Sequence, residues 1–507
     1  MEKQLTSEQS RALKVMEGGK NIFLTGYAGT GKTYVLEYFI QELLEAGKNV
    51  VVTAPTDIEA VHIEGAPLRR LLGIESGLMT FKKIKPEVFE LLAETDTFVI
   101  NAIELCSNKL FNIVTKVITK ANALRTAQNK PQIQLVVSGD FCRIPYNPDW
   151  NNYIFQSTSW QKCNFVNIFL KKYVRPKNKS FAKAISKIQL GDASAIDYIN
   201  EHSTDKKLRN DITLCSTEKE AKEINNVMLS KLKTPPVIFE SIKYEDEELL
   251  NTSDYITNPT ISLKKGAKIV FTSDDDKFGD FKKGDIKIVD EFIYLEDKPI
   301  GIKINQSESS PITVGFTLKP IYNYELHTVG ITNATYIEKN AIGYLYELPF
   351  TLAYAAPVYA NRGVLYNTVN INPIELNTVE LYLALSHVCK ISRLHFDETI
   401  GAILEINKPV QDFYKKLEAS RRPRVPKGTA ELLSQHKKDE KNTTSTKRGG
   451  RRKGSGRKKS VPGMKSSAIR VPEILADPLK DIKELDVDDV QEVAKLLNDF
   501  VRNHKDE

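Results

Sequence analysis

Cysteine is scarce in this sequence, and its spacing suits neither a metal site nor disulfides. The five cysteines are Cys106, Cys142, Cys163, Cys215 and Cys389, and no two of them form a C-x-x-C pair. The sequence therefore argues against a zinc site and a disulfide framework and for a reducing compartment. No run approaches the ~18 apolar residues of a membrane span, and the first residues do not resemble a signal peptide. We expect a cytoplasmic protein.

An excess of positive charge is missing from most of the chain. Residues 420–470 hold 17 Lys and Arg against three Asp and Glu, whereas residues 471–507 hold five against 11. Because the whole chain has a net charge of +7, residues 1–419 are left at −1. The positive charge expected of a nucleic-acid-binding protein is therefore concentrated in residues 420–470.

A phosphate-binding loop is present near the start of the chain. Residues 26–33 read GYAGTGKT and lie between an apolar run at 21–25 and a helical pattern at 34–45. This strand–loop–helix context fits G-x-x-x-x-G-K-[ST], in which glycines and a helix N-terminus present N–H groups to phosphate. We predict that ATP and Mg²⁺ bind here through Gly26, Gly29, Thr30, Gly31, Lys32 and Thr33, with the Thr33 hydroxyl on the metal.

The acidic pair that such a site needs is missing from the next suitable strand. Residues 97–100 read TFVI and run into Asn101 and Ala102, where a metal-binding Asp and a water-activating Glu would be expected. Glu104 lies two residues beyond Ala102 and would point to the same side of an extended segment. Glu104 is therefore a candidate substitute base, although a solvated loop carboxylate is the simpler interpretation.

The order of segments resembles superfamily 1 DNA helicases of the 5′-to-3′ branch that contains the Dda, RecD and Pif-type enzymes. The resemblance covers about residues 1–410. Beside the phosphate loop, seven matches carry it in the family's order: residues 5–9, 54–65, 137–145, position 175, and residues 213–226, 348–363 and 382–386. It implies that Gln9 reads the adenine, Thr56 contacts DNA, Asp140 in the coupling motif binds the nucleotide, and Arg175 reaches the γ-phosphate.

The positions at which the sequence departs from the family lie mainly in the segments that serve catalysis and DNA-strand binding. The Asp-Glu pair is Asn101 and Ala102, the phosphate-sensing Gln is Arg143, and the arginine finger is His387; residues 67–70, 174–176 and 359–363 differ as well. Removing a general base costs about 10²–10⁴ in rate, and removing an arginine finger about 10³–10⁵. We therefore expect impaired hydrolysis, unless Glu104 together with Arg143 or Arg362 restores it.

The expected fold class is α/β, with two RecA-like P-loop domains built on parallel sheets. The first should span 1–165, with a short wedge subdomain at about 75–95; the second should span 166–234 and 345–412. Residues 235–344 have β-patterned runs and resemble the SH3-like insert of these helicases. A basic linker, 420–470, should be disordered, and residues 471–507 should form an acidic amphipathic helical tail.

The basic linker and the terminal helix predict two kinds of partner. Arg/Gly alternation resembles arms that bind duplex DNA, here through Arg448, Arg451, Arg452, Lys453, Arg457, Lys458 and Lys459, although a merely solubilising tail is the alternative. The terminal helix should dock on its own body or on a protein partner. Single-stranded DNA should bind through the body.

Three functions fit these observations. The first is a helicase-like protein that binds ATP and DNA with impaired hydrolysis and unwinding. The second is an active 5′-to-3′ helicase with rearranged catalytic residues. The third is a structural or DNA-packaging-associated protein that retains the fold. A composition rich in Lys, Asn and Ile fits a bacterium or its phage.

Overall fold

The computed structural model describes residues 5–74, 81, 84–143, 153–204, 212–245, 260–275, 279–305, 311–329, 334–359, 364–372, 376–401 and 407–420. The wedge subdomain expected at 75–95 lies partly outside these residues. The basic linker beyond Ser420 and the terminal helical tail lie wholly outside them. Among the described helices, none combines the length and apolarity that a membrane crossing requires.

A six-stranded parallel sheet forms the centre of the first half of the chain. Its strands are β1 (Ile22–Gly26), β2 (Val50–Ala54), β3 (Ala66–Pro67), β4 (Thr97–Ile100), β5 (Gln134–Ser138) and β6 (Val166–Leu170). They are ordered β3-β2-β4-β5-β1-β6. Strands β1 to β5 are buried along their whole length, as expected of a parallel sheet covered on both faces.

The helices of this half are α1 (Ser7–Met16), α2 (Lys32–Glu45), α3 (Asp57–His62), α4 (Leu68–Leu71), α5 (Pro86–Glu94), α6 (Asn108–Ala127) and α7 (Thr158–Lys162). Because the strands are parallel, the segments after β1, β2, β4 and β5 all leave the sheet at the same edge. Ligands of open α/β sheets bind at this carboxyl edge. The topology therefore brings the phosphate loop and the other motif segments together.

One predicted domain boundary is wrong. We expected the second domain to begin at residue 166, yet β6 pairs in parallel with β1 from Ile22↔Val166 to Gly26↔Leu170 and completes the first sheet. The partner strand lies more than 140 residues earlier in the chain, so local sequence carried no sign of the pairing. The first unit therefore extends at least to Leu170.

A smaller parallel sheet forms the centre of a second α/β unit. We call this unit and the first one, built on the six-stranded sheet, the two motor-like units. The smaller sheet has the order β18-β7-β19-β20 and combines β7 (Ile212–Cys215) with β18 (Ala355–Pro357), β19 (Val369–Ile371) and β20 (Leu394–Phe396). Its helices are α8 (Lys179–Gln189), α9 (Ile196–His202), α10 (Glu218–Ser230) and α11 (Thr378–Ser386). Two parallel α/β sheets in one chain agree with the predicted fold class.

The segment between these parts is β-rich, as predicted. It contains β8 (Val237–Glu240), β9 (Ile242–Glu245), β10 (Thr260–Leu263), β11 (Lys268–Phe271), β12 (Ile286–Leu295), β13 (Lys298–Asn305), β14 (Pro311–Gly315), β15 (Thr317–Val329), β16 (Ala334–Glu347) and β17 (Phe350–Leu352). Because β17 pairs with β11 in the five-stranded sheet, the insert continues past the predicted limit at residue 344. Tyr324 of β15 lies buried against β2, where its hydroxyl accepts from the Val52 N–H at 3.1 Å.

The last described helix, α12 (Lys408–Ala419), returns from the second unit to the first. Phe413 stacks on Phe155 with ring centroids 4.3 Å apart, and Tyr414 is almost fully buried beside β1. This helix continues past the predicted end of the second domain at residue 412. It therefore ties the end of the described chain to the sheet edge that carries the phosphate loop.

Candidate functional site

The phosphate loop has an open helix N-terminus and glycines where the backbone needs them. Gly29 and Gly31 have φ of 74° and 81°, in the left-handed region that glycine adopts without strain. The Gly29 carbonyl accepts from the N–H groups of Val174 and Arg175, and a Cβ at Gly29 would overlap the Arg175 carbonyl. Gly31 caps α2 without any side-chain hydrogen bond. The first N–H groups of α2 are thus not occupied by a cap, as an anion site requires.

Lys32 lies inside this loop. Its Nζ donates to the carbonyl oxygens of Gly26 and Tyr27 at 2.9 and 3.2 Å. Burial lowers the pKa of Lys32, while the carboxylates of Asp140 and Glu104 act in the opposite direction. An ammonium held on carbonyl oxygens can transfer its hydrogen bonds to a phosphate that enters the loop. The Thr33 side chain, one residue later, is exposed at the start of α2.

Gln9 packs against the phosphate loop from α1. Its side chain is buried, its Nε2 donates to the Thr30 carbonyl at 3.0 Å, and its Oε1 accepts from the Thr6 N–H at 2.8 Å. Thr6 and Gln9 form a capping box that fixes the start of α1. The structure therefore places the predicted base-reading amide beside Thr30. The base-reading role itself stays a prediction.

The segment after β4 turns sharply, which differs from the extended path that we expected. Ala102 has φ of 53° and leads into a 3₁₀ turn at Ile103–Leu105. Asn101 and Ala102 are both buried. The turn brings the Glu104 carboxylate under the end of β5, where Oε2 accepts from the Asp140 N–H at 3.1 Å. Glu104 is buried rather than a solvated loop residue.

Asp140 is the point at which four elements meet. Its Oδ2 accepts from the Tyr382 hydroxyl of α11 at 2.7 Å, and its Oδ1 lies 3.3 Å from the Tyr414 hydroxyl of α12. Gln189 of α8 donates at 3.2 Å, and the Cys142 N–H donates at 3.1 Å. Burial, with the Asp140 charge next, raises the pKa of Tyr382, which keeps the phenol protonated as a donor. Asp140 thus joins the two motor-like units.

Sequence reasoning missed most of these partners. Tyr382 lies in one of the segments that carry the family resemblance, whereas Gln189 and Tyr414 lie in none of them. The sequence feature that could have indicated Tyr414 is helical periodicity. Apolar or aromatic residues recur at helical spacing and line one face of α12: Val410, Phe413, Tyr414 and Leu417. That pattern predicts a buried helical face but not the residue that it contacts.

Two arginines flank the site at different depths. Arg143 follows Asp140 in a 3₁₀ turn, Phe141–Arg143, and its Nε lies 3.7 Å from Asp140 Oδ2. Arg175 is held at the loop by its backbone contacts with Gly29, and its side chain is exposed. Arg362, the other arginine considered for the γ-phosphate, lies outside the described residues.

His387, which the motif comparison assigns to the family's arginine-finger position, is buried inside the second unit. Its Nδ1 is 2.8 Å from the Val364 carbonyl, and its Nε2 is 3.2 Å from the Val358 carbonyl. Burial lowers the pKa of His387 to about 4, so the ring is neutral near pH 7. A neutral imidazole held between two carbonyl groups cannot supply the permanent charge of a finger.

The candidate metal and nucleic-acid residues are only partly defined by the structure. Among the described residues, no cluster of three or more His, Cys, Asp or Glu could hold a metal ion. The Thr33 hydroxyl, predicted as the protein ligand of Mg²⁺, lies at the exposed start of α2, and this role stays a prediction. Thr56 is exposed and caps α3 by accepting from the Glu59 N–H. The seven tail residues predicted to bind DNA lie outside the described part of the chain.

Comparisons with known proteins agree with this arrangement. The PIF1-like helicase family matches residues 4–198. The Pif1 ATP-dependent DNA helicases of zebrafish (Danio rerio) and Campylobacter jejuni are 25% and 26% identical to the chain over 82% and 78% of its length. The matched region spans 64% of the zebrafish protein and 94% of the bacterial one.

Solved structures show the same fold. A Bacteroides sp. Pif1 in complex with ADP-AlF4 has a TM-score of 0.67 at 21% identity and covers 82% of this chain and 98% of its own. Pif1 helicase from Candida albicans has a TM-score of 0.60 at 22% identity and covers 82% and 100%. The predicted resemblance to Pif-type superfamily 1 helicases and the predicted fold class are both confirmed.

Proposed function

We propose that this chain, a Pif1-like relative of the superfamily 1 helicases, binds ATP and single-stranded DNA and hydrolyses ATP slowly. The observation that carries the proposal is the end of β4 beside an intact phosphate loop. There Asn101 and Ala102 are buried where a helicase of this type carries its acidic pair. Nucleotide would act mainly as a ligand that sets the arrangement of the two motor-like units.

ATP binding rests on the loop itself. The N–H groups at the start of α2 and the Lys32 ammonium would hold the phosphates, and Gln9 would contact the base. Mg²⁺, when bound, neutralises phosphate charge, and Thr33 would be its protein ligand. Asp140 already accepts from Tyr382, Gln189 and the Cys142 N–H, so its role is to join the units rather than to bind the metal.

Slow hydrolysis follows from two changes that act on the same step. Ala102 cannot accept a proton from water, and His387 is buried and neutral. Losses of about 10²–10⁴ for the base and about 10³–10⁵ for the finger do not multiply, because such residues act as a unit. Either loss alone would still reduce a motor to a rate too slow for translocation.

A working helicase is the second candidate, and the position of Glu104 favours it. The carboxylate is buried and held by the Asp140 N–H, close enough to Lys32 to influence its pKa. A Glu in this place could activate water if it released the Asp140 N–H. The two candidates therefore differ in one measurable quantity, the rate of phosphate release.

DNA contacts belong to the proposal as well. Bacteroides Pif1 has been solved bound to single-stranded DNA, at a TM-score of 0.53 to this chain. For this chain we propose that the body binds a single strand, with Thr56 at the surface, while the basic linker binds duplex phosphate groups. Deleting the chain after Ser420 should remove most duplex binding and flatten its salt dependence by about 0.9 per lost phosphate contact. Duplex affinity and salt slope that survive this deletion would contradict the tail assignment.

Calorimetric titration with ATP and DNA-stimulated phosphate release test the main proposal together. We expect wild-type protein to bind ATP and to release phosphate far more slowly than a motor. Lys32→Ala should weaken ATP binding by roughly 10- to 100-fold, because a charge-assisted contact is lost. Lys48→Ala is the matched control, since Lys48 is exposed just beyond the opposite end of α2.

The outcomes separate the three functions. ATP binding with motor-like phosphate release would establish the working helicase. Absence of ATP binding would leave the structural or packaging-associated protein. An affinity that Lys32→Ala leaves unchanged would show that the loop does not hold the phosphates.

A further inference from the structure

The second residue of the phosphate loop, Tyr27, has a backbone carbonyl on which the loop's own contacts converge. That oxygen accepts from the Thr30 hydroxyl at 2.8 Å and from the Lys32 ammonium at 3.2 Å. The Thr30 N–H donates to it as well, at 3.4 Å. The Tyr27 N–H donates to the Leu170 carbonyl at the end of β6. The position of this one residue therefore sets where the Lys32 ammonium lies before any phosphate enters.

The Tyr27 side chain is held by two parts of the chain outside the loop, α12 and the stretch that begins with β6. Its hydroxyl donates to Glu418 Oε1, in the last turn of α12, at 2.5 Å. Its ring stacks on Tyr173, with centroids 5.6 Å apart, and meets Phe169 of β6 edge to face at 5.0 Å. Tyr27 is 9% exposed. Packing on two sides, together with a hydrogen bond at the hydroxyl, fixes the ring in one orientation.

Glu418 is itself fixed, although its side chain is 38% exposed. Lys171, one residue beyond β6, donates from Nζ to the Glu418 carbonyl at 2.9 Å and lies 3.8 Å from its carboxylate. Burial, and next the hydrogen bond to Glu418, raises the pKa of Tyr27, so the phenol stays a protonated donor near pH 7. The contact therefore links the last turn of α12 to the phosphate loop, 391 residues earlier in the chain.

Order in the empty loop matters for binding, because a loop that is already ordered loses less conformational entropy when it takes a ligand. If Tyr27 were released from α12, its carbonyl and the Lys32 ammonium on it would sample other positions. ATP binding would then have to restore the bound arrangement. The N–H groups at the start of α2 would remain in place, so affinity would be reduced rather than lost.

We infer that Glu418 positions the phosphate loop through the Tyr27 hydroxyl, so that the last turn of α12 is part of the nucleotide site. Glu418 is a positioning residue, since it acts through Tyr27 rather than on the phosphates. The inference rests on the proposed ATP site and adds to it a residue from the far end of the described chain. Glu418 lies beyond every segment that carries the family resemblance, the last of which ends at residue 386.

Calorimetric titration of the full chain with ATP tests the inference in a double-mutant cycle. Tyr27→Phe keeps the ring and removes the hydroxyl, whereas Glu418→Ala removes the acceptor. Each should weaken ATP binding by about 3- to 10-fold, which corresponds to the net contribution of a typical hydrogen bond. The double variant should bind no more weakly than either single one, because both remove the same contact. Glu418→Gln keeps an acceptor oxygen and should stay within about 2-fold of wild type.

Asp412→Ala is the matched control, because Asp412 is an exposed carboxylate of the same helix, and it should leave ATP affinity unchanged. The urea midpoint of each variant, measured without nucleotide, separates positioning from stability. A merely structural contact would lower the midpoint of Tyr27→Phe and Glu418→Ala and leave their ATP affinity at the wild-type value, which would overturn the inference.

Two other outcomes would overturn it as well: additive losses in the double variant, and tighter ATP binding in either single variant. Failure of the proposed function looks different from these results. If wild-type protein does not bind ATP, the nucleotide site is wrong and the inference falls with it. If wild-type protein binds ATP and both single variants bind it equally well, only the positioning role of Glu418 is wrong.

Discussion

Removing one hydroxyl from α12 should measurably loosen the contact between the two motor-like units. Tyr414 is 1% exposed. Its hydroxyl accepts from the Phe141 N–H at 3.0 Å and lies 3.0 Å from Thr25 Oγ1 and 3.3 Å from Asp140 Oδ1. Because Thr25 already donates to the Gly139 carbonyl, the single phenol proton serves Thr25 or Asp140.

Tyr414→Phe would keep the ring and leave the Phe141 N–H without its acceptor. A buried donor that loses its partner costs about 1–3 kcal/mol, and Asp140 keeps its other donors, so we expect a loss of about 2 kcal/mol. Tyr414→Ala should cost about 3–5 kcal/mol, because it also leaves a cavity among aromatic rings. With an m-value of about 3 kcal/mol/M, the Phe variant should shift the urea midpoint by about 0.7 M.

Urea unfolding of the full chain, followed by tryptophan fluorescence, measures this shift. Tyr294→Phe is the control, because Tyr294 is 52% exposed and its hydroxyl has no hydrogen-bond partner among the described residues. A Tyr414→Phe midpoint within about 0.1 M of the control would refute the reasoning. It would mean that the three contacts of this hydroxyl contribute nothing net to the docking of α12.

Two further predictions concern the loop and the pH dependence. Gly29→Ala should abolish ATP binding, because the added Cβ would overlap the Arg175 carbonyl. Gly47→Ala is the control: its φ is similarly positive, but the space around it is open, so ATP affinity should stay within about 3-fold. An equal loss in both variants would show that backbone strain, not the overlap, was responsible. Because burial lowers the pKa of His387 from 6.5 to about 4, the unfolded chain binds more protons in that window, and stability should fall as the pH drops through it. The full loss of folding free energy between pH 6.5 and pH 4 due to His387 is about 3 kcal/mol. A His387→Gln variant whose urea midpoint depended on pH as steeply as that of the wild type would contradict this assignment.

The sequence predicted the parts of the site that are encoded locally. The phosphate loop is a continuous motif, so its position between β1 and α2 was readable from residues 21–45. Glu104 was nominated for its spacing, and the structure does bring it to the site. The predicted backbone conformation was wrong: we expected residues 102–104 to be extended, whereas Ala102 adopts a left-handed conformation.

Contacts between distant segments were not predictable in the same way. Strand β6 falls within the predicted second domain, but its apolar pattern suits either sheet, and only its pairing with β1 decides between them. Tyr414 and Gln189 are ordinary members of amphipathic helices until the fold brings both to Asp140. Helical periodicity indicates which faces of such helices are buried, whereas the partner of each face depends on the whole topology.

The charges at the carboxyl edge of the first sheet bear on the proposed nucleotide site, in which we interpret Asn101 and Ala102 as replacing an acidic pair. Two basic side chains, Lys32 and Arg143, lie with two acidic ones, Asp140 and Glu104, at this edge, so the group has no large excess of charge of either sign. An additional carboxylate at position 101 or 102 would oppose the phosphates unless a metal ion neutralised it. With Asn101 and Ala102 instead, the attraction of the two cations for a terminal phosphate is less dependent on Mg²⁺. Under the proposed function, the two residues that slow hydrolysis would also favour retention of the bound triphosphate, as expected of a ligand-controlled switch.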